Sequence, residues 1–186
     1  MKAVRISSLA ETPLGQVWAA LSEQGLVAVS VDVGRETFVG ELRRMGFEVV
    51  EGGSQAVEAA LAQIGEYLAG VRREFDLPVD WSVMTSFQQE ALLATLAIPY
   101  GQVTTYGDLA RSLGRPGAAR AVGRAEATNP LPLVIPCHRV LGSDGGLHGY
   151  GAGRGLETKA WLLELEGARA GSGPGTVERQ EALPGF

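Results

Sequence analysis

Thr105-Tyr106-Gly107-Asp108-Leu109-Ala110-Arg111-Ser112-Leu113, then Gly114-Arg115-Pro116-Gly117, then Ala118-Ala119-Arg120-Ala121-Val122-Gly123-Arg124-Ala125 read as helix, turn and helix. Thr105 is a cap residue, and Leu109, Ala110 and Leu113 recur at helical spacing. Glycine and proline then break the periodicity. This is the outline of a helix-turn-helix, shared by many helix pairs that never meet DNA. The second helix has almost no side-chain bulk at Ala118, Ala119, Ala121, Gly123 and Ala125. It either presses its backbone onto another surface, such as a minor groove, or packs tightly inside its own domain. Arg120 and Arg124 share one face, and an arginine there has the reach to fill a base stack from which a nucleotide has been extruded.

Around this segment lie 186 residues, 45% hydrophobic, with a formal net charge of -5. That is enough for one large domain or two small ones. No run of ~18 apolar residues is present, so no membrane span is expected. The first residues, MKAVRISSLAETPLGQ, lack the contiguous apolar stretch of a secretion signal. A single cysteine rules out an internal disulfide, and with two histidines it argues against a zinc site. Residues 101–160 carry seven basic and four acidic side chains, a local +3, which leaves -8 for the remainder. A polyanion partner suits that patch, and so does a plain solvated face.

Residues 1–72 read as an α/β scaffold: a small sheet with helices. Valines at 27, 29, 31 and 33 alternate as in a half-buried strand, and Ser22-Glu23-Gln24-Gly25 turns into it from a strand at Gln16–Leu21. A helix over Thr37–Met45 and a strand over Phe47–Val50 follow. Ser54 caps a helix to about Leu68, with Val57, Leu61, Ile64 and Leu68 on one face. No residue set in this half looks catalytic. Residues 73–84 mix charge, proline and isolated aromatics, as a linker does. A mostly helical domain, winged-helix-like, spans 85–167. Its first helix starts near Thr85, buries Phe87, Leu92, Leu93 and Leu96, and ends at Pro99. The Gly- and Pro-rich stretch 168–186 reads as a disordered tail.

The chemistry concentrates in Asn129-Pro130-Leu131-Pro132-Leu133-Val134-Ile135-Pro136-Cys137-His138-Arg139-Val140. A lone cysteine is commonly a small buried hydrophobe. Here a potential base and a fixed positive charge follow it, and either favours thiolate over thiol. Three prolines stiffen the segment. On an extended strand Cys137 and His138 would point to opposite faces, so any proton transfer between them is expected through water.

Pro136-Cys137-His138-Arg139-Val140 resembles the active-site signature of the O6-alkylguanine-DNA alkyltransferases, the methylated-DNA–protein-cysteine methyltransferases. The resemblance runs from about Thr85 to Gly167. It includes Ile98-Pro99-Tyr100-Gly101, Thr105–Ala110, Ala119–Gly123, Asn129-Pro130, Gly149-Tyr150 and Trp161–Gly167, in the family's order. It implies an enzyme that binds double-stranded DNA in the minor groove, flips out an O6-alkylguanine and moves the alkyl group irreversibly onto Cys137, with O4-alkylthymine left open as a second lesion. His138 would then act through water as base and Glu166 would orient it. Asn129 would hold the turn that presents the cysteine. Tyr106 would donate a proton to the departing guanine and turn the phosphate. Arg120 would fill the vacated stack on a helix kept slim by Ala121 and Gly123. The carbonyls of Cys137 and Val140 would read the guanine amino group, and Tyr150 and Gly151 would wall the pocket. No cofactor and no metal are implied, and the chain would act as a monomer in the cytoplasm.

Some relatives carry a zinc site in the N-terminal domain, which one cysteine and two histidines cannot build. Glu126 stands where relatives have an apolar or amide residue. It would oppose the phosphate backbone, so that Glu126→Ala tightens DNA binding, or it would narrow the range of adducts. The loop Gly151-Ala152-Gly153-Arg154-Gly155 is slightly long. Arg139 would tie the active-site segment to its domain. Two other classes fit less well: a non-catalytic binder of alkylated DNA, which would lack the cysteine, and a thiol hydrolase, which would turn over repeatedly.

Overall fold

In the computed structural model, residues 2–50 and 52–168 are described; the stretch read as a tail therefore lies, from 169 onward, outside the described residues. Strands β1 (Lys2–Thr12), β2 (Gly15–Ser22), β3 (Gly25–Val31) and β4 (Phe47–Val50) form one sheet in the order β3-β2-β1-β4. The hairpins are antiparallel, and β4 adds parallel to β1 after helix α1 (Arg35–Arg44). The central strand β1 escaped the sequence reading. Only Val4 and Ile6 are buried in it, and polar residues interrupt its alternation.

The valines of β3 do not keep to one face as their alternation predicts: Val29 and Val31 pack on one side and Val27 on the other. The pairing with β2 is irregular here, between Ala20 and Leu21, and the strand is buried on both faces. One face of the sheet carries Trp18, Ala20 and Val27 against Phe38, Val39 and Leu42 of α1. The other carries Val17, Ala19 and Val29 against α2 (Gln55–Leu68) and the C-terminal half. The β3 edge is covered as well. Leu26 exchanges backbone bonds with Pro78 and Asp80, and Val29 N–H donates to the Pro130 carbonyl at 2.8 Å. Within the stretch read as a linker, Pro78–Asp80 thus run along the sheet edge, followed by a single 3-10 turn at Trp81–Val83.

Helix α2 begins where Ser54 accepts from the Val57 N–H, and α3 (Ser86–Leu96) where Thr85 accepts from the Gln88 N–H. Helix α3 buries Ala91, Leu92 and Thr95, while Leu93 and Leu96, expected inside, are 50% and 40% exposed. The contact with α4 (Tyr106–Ser112) and α5 (Ala119–Ala127) selects the 91/92/95 face, so the leucine spacing points to the wrong stripe. Strands β5 (Thr104–Thr105) and β6 (Val140–Leu141) pair in parallel, and α6 (Leu156–Leu165) is the last helix among the described residues. One core runs through both halves, joining Val17, Leu26 and Tyr67 to Leu131, Ile135 and Leu162. No helix among the described residues is long and apolar enough to cross a membrane, and no group of three or more His, Cys, Asp or Glu among them could hold a metal ion.

Candidate active site

The segment ahead of the cysteine is held by its own turn. Asn129 Oδ1 accepts from the Leu131 N–H at 3.0 Å, and Asn129 Nδ2 donates to the Ile135 carbonyl at 2.9 Å and to Cys137 Sγ at 3.1 Å. Leu133, almost fully buried, sits at φ 74, a backbone conformation that costs a branched residue energy and that the surrounding core imposes. Cys137–Arg139 is then a single 3-10 turn, not the extended strand expected from sequence. Cys137 reaches a cleft of ≈ 230 Å³ together with Glu126, Asn129 and Gly151, faced from the N-terminal half by Ser30 and Met45.

Behind the turn lies a buried network centred on Glu166. Its Oε1 stands 2.9 Å from His138 Nε2 and accepts from Tyr67 Oη at 2.6 Å. The Arg139 guanidinium grips both oxygens in a fork at 2.8 Å each, and the Gly101 N–H donates to Oε2 at 3.1 Å. Gly101 is required there: at φ 76, an added Cβ would lie 2.9 Å from the Glu166 carbonyl. Burial pushes Glu166 up, but the hydrogen bonds of His138 and Arg139 and the positive charge of Arg139 outweigh it and hold the carboxyl at about 2. Burial lowers His138 despite Glu166, so the imidazole is neutral. With its Nε2–H turned to the carboxylate, Nδ1 keeps a free lone pair and has no hydrogen-bond partner among the described residues. Arg139 also donates to the Ile98 carbonyl, which ties the cysteine turn to its domain as expected.

Neither neighbour favours the thiolate at rest. Burial first, then the charge of Glu126, pushes the Cys137 thiol up to about 12, against the hydrogen bond of Asn129 and the charge of Lys159. His138 Nε2 and Arg139 Nε and Nη2 are turned to Glu166 instead. The resting sulfur is therefore a protonated thiol.

Tyr106 opens α4 and donates to the His148 carbonyl at 3.1 Å; burial, Glu126 and Cys137 raise it to about 12. Gly123 faces its ring, at a distance that leaves ordinary contact for a Cβ. Arg120 and Ala121 are exposed on α5, and Arg120 and Arg124 form no ion pair with any described residue. The Val140 carbonyl accepts from Lys159 Nζ at 2.7 Å, leaving its second lone pair. Gly151 lines the cleft, whereas the Tyr150 hydroxyl is buried without a partner among the described residues. Glu126 is 5% exposed and turned inward. It therefore cannot meet the phosphate backbone, and no change of DNA affinity is expected from Glu126→Ala.

Two residues of this site were missed in the sequence. Lys159 is fully buried, donates to the Val140 and His148 carbonyls and is lowered to about 8 by burial. A lysine on the same helical face as Leu162, Leu163 and Glu166 was a usable signal. Tyr67 carried none, since its hydrophobic spacing in α2 is that of ordinary core and its partner lies 99 residues away. Tyr67→Phe removes one bond to a charged acceptor, worth about 1.5–3 kcal/mol, while Arg139 and Gly101 still hold Glu166. Single-turnover kinetics should show transfer slowed by about tenfold or less, with DNA affinity unchanged; an unaltered rate would make Tyr67 a packing residue only.

Comparison with known proteins places the chain by family. Residues 86–168 match the family model described as 6-O-methylguanine DNA methyltransferase, DNA binding domain, and residues 6–81 that described as 6-O-methylguanine DNA methyltransferase, ribonuclease-like domain. A Methylated-DNA--protein-cysteine methyltransferase of Mycobacterium bovis is 48% identical over 115 residues, 62% of this chain and 68% of the relative. One of Mycobacterium leprae is 41% identical over 156 residues, 84% and 88%. The crystal structure of Mycobacterium tuberculosis OGT in complex with DNA superposes with a TM-score of 0.71 at 36% identity, covering 88% of this chain and 92% of that one.

Proposed function

Because the chain belongs to the 6-O-methylguanine DNA methyltransferase family, we propose that it repairs DNA by taking the alkyl group of an O6-alkylguanine onto Cys137, once per molecule. The observation that carries this reading is the sulfur itself. It lies in a cleft, receives a hydrogen bond from Asn129, and is one residue from a neutral histidine backed by an ionised glutamate.

Helix α5 meets the minor groove with its small residues, and Arg120, exposed and unpaired with any described residue, enters the stack as the damaged nucleotide swings out. The reaction is a displacement at carbon, which needs a soft sulfur in line with the carbon–oxygen bond. The thiol proton passes through water to His138 Nδ1, and Glu166 stabilises the imidazolium. The Sγ–C bond forms as the C–O6 bond breaks, and its electron pair goes to the guanine. Tyr106, kept protonated by its raised pKa, gives the leaving base a proton. Solvent then carries the proton from His138 back to Tyr106. The nucleophile, base and acid are all side chains, so no cofactor enters. The thioether resists hydrolysis, and the chain has one cysteine, so the reaction ends after one turnover. With DNA as its substrate, the chain would act in the cytoplasm, as a monomer.

Incubation with a methylated-guanine duplex should add one methyl to the intact mass, map it to Cys137 and stop at one equivalent. An unmodified sulfur, or continued turnover, would overturn the reading.

A further inference from the structure

Glu126 is the one buried acid at the cleft that the chemistry above does not use. Its Oε1 lies 2.6 Å from Thr95 Oγ1, which is itself 3.0 Å from the Ala91 carbonyl. The single hydroxyl proton of Thr95 cannot serve both oxygens. Both contacts are made only when Glu126 carries a proton and donates it to Thr95, leaving the Thr95 proton for Ala91. The other oxygen, Oε2, is buried and has no hydrogen-bond partner among the described residues. Glu126 and Cys137 line the same cleft. The carbon captured by Sγ brings its remaining substituent into the space beside both.

We propose that Glu126 is a specificity-determining residue of the alkyl transfer: it admits guanine adducts with neutral substituents, accepts a hydrogen bond from hydroxyl-bearing ones through Oε2, and rejects anionic ones. This rests on the alkyl-transfer reading. A carboxylate on the adduct meets a carboxyl whose only proton is committed to Thr95, or, once Glu126 ionises, a like charge at close range in a water-poor site. Cys137 of the 3-10 turn and Glu41 of α1 line the same cleft, Lys159 of α6 and Tyr106 of α4 lie close enough to interact with Glu126 by charge, and Arg120 and Arg124 on α5 are exposed. Burial raises Glu126 to about 7, against the hydrogen bond that Thr95 turns to give the ionised carboxylate and against the charge of Lys159. The rejection therefore strengthens as pH rises through neutrality.

The test uses the full chain and three duplexes of one sequence carrying O6-methyl-, O6-(2-hydroxyethyl)- or O6-carboxymethylguanine. Single-turnover rates are read by intact mass from pH 5.5 to 7.5, over which Lys159 keeps most of its charge. Methyl and hydroxyethyl transfer should exceed carboxymethyl transfer by about tenfold or more, and the ratio should widen with pH. E126Q should narrow it to within about threefold and flatten its pH dependence. If E126Q fails to fold, the double variant Thr95→Val with Glu126→Met replaces both polar partners by apolar groups of similar shape and should give the same narrowing. A ratio identical in parent and variant, or constant with pH in the parent, overturns the proposal. Absence of any methyl on Cys137 would instead overturn the alkyl-transfer reading beneath it.

Discussion

Cys137→Ser is expected to yield a folded protein that binds a methylated-guanine duplex as tightly as the parent and takes no alkyl group from it. The hydroxyl is smaller than the thiol, still within reach of Asn129, and leaves the Glu166 network untouched. As a nucleophile it is far weaker, because an alcohol gives up its proton much less readily and its oxygen is harder than sulfur. Transfer should fall by at least about 10³-fold, read by intact mass over hours. DNA affinity, measured at matched salt because phosphate contacts dominate it, should stay within a factor of about two, since α5 and its arginines lie outside the substituted site. Methyl capture by the serine variant would place the acceptor elsewhere. Loss of binding together with transfer would mean that the sulfur is part of the fold.

The second large effect is on stability. Glu166→Ala takes the shared acceptor away from Arg139, His138, Tyr67 and the Gly101 N–H at once. Arg139 is 6% exposed, and breaking a buried pair on one side costs about 3–5 kcal/mol because the other charge is left uncompensated. Urea unfolding should show that loss near neutral pH. Glu166 also marks its own pH window. Its folded value of about 2 lies below the ordinary 4.5, so the unfolded chain binds its proton more readily. The stability it confers is complete above 4.5 and disappears as pH falls toward 2. His138, depressed by burial, adds a loss of the same sign that begins below its ordinary 6.5 and remains in the variant. The gap between parent and Glu166→Ala should therefore shrink as pH falls through the carboxylate range. A gap constant down to acid pH would show that Glu166 is not the anion of this network.

The active-site segment was readable because its determinants are close in sequence. Asn129 and Cys137 are eight residues apart, and the prolines and the turn between them restrict the chain without help from elsewhere. The roles of Cys137, His138 and Glu166, with Glu166 orienting His138, came from the family resemblance, and the structure adds the contact itself, 2.9 Å between Nε2 and Oε1 across 28 residues. The expectation that His138 or Arg139 would favour the thiolate is not met in the resting site, for a long-range reason. Glu166 occupies both, and the burial of Cys137 raises its pKa more than any neighbour lowers it. Glu126, read from sequence as a possible obstacle to phosphate, faces inward because α5 packs against α3 on that side.

The boundaries of α2, α3 and α4, the strand Phe47–Val50 and the turn before β3 were already present in the order of residues. Caps, periodicity and turn chemistry act over four or five positions, and neighbours supply them whatever the rest of the chain does. Packing alone decided that Leu93 and Leu96 face solvent, that β3 is covered on both faces, that Lys159 is buried, and that a tyrosine from the N-terminal half completes the carboxylate network of the C-terminal one. Those outcomes depend on which surfaces meet and on how much water they exclude, and residues distant in the chain set both.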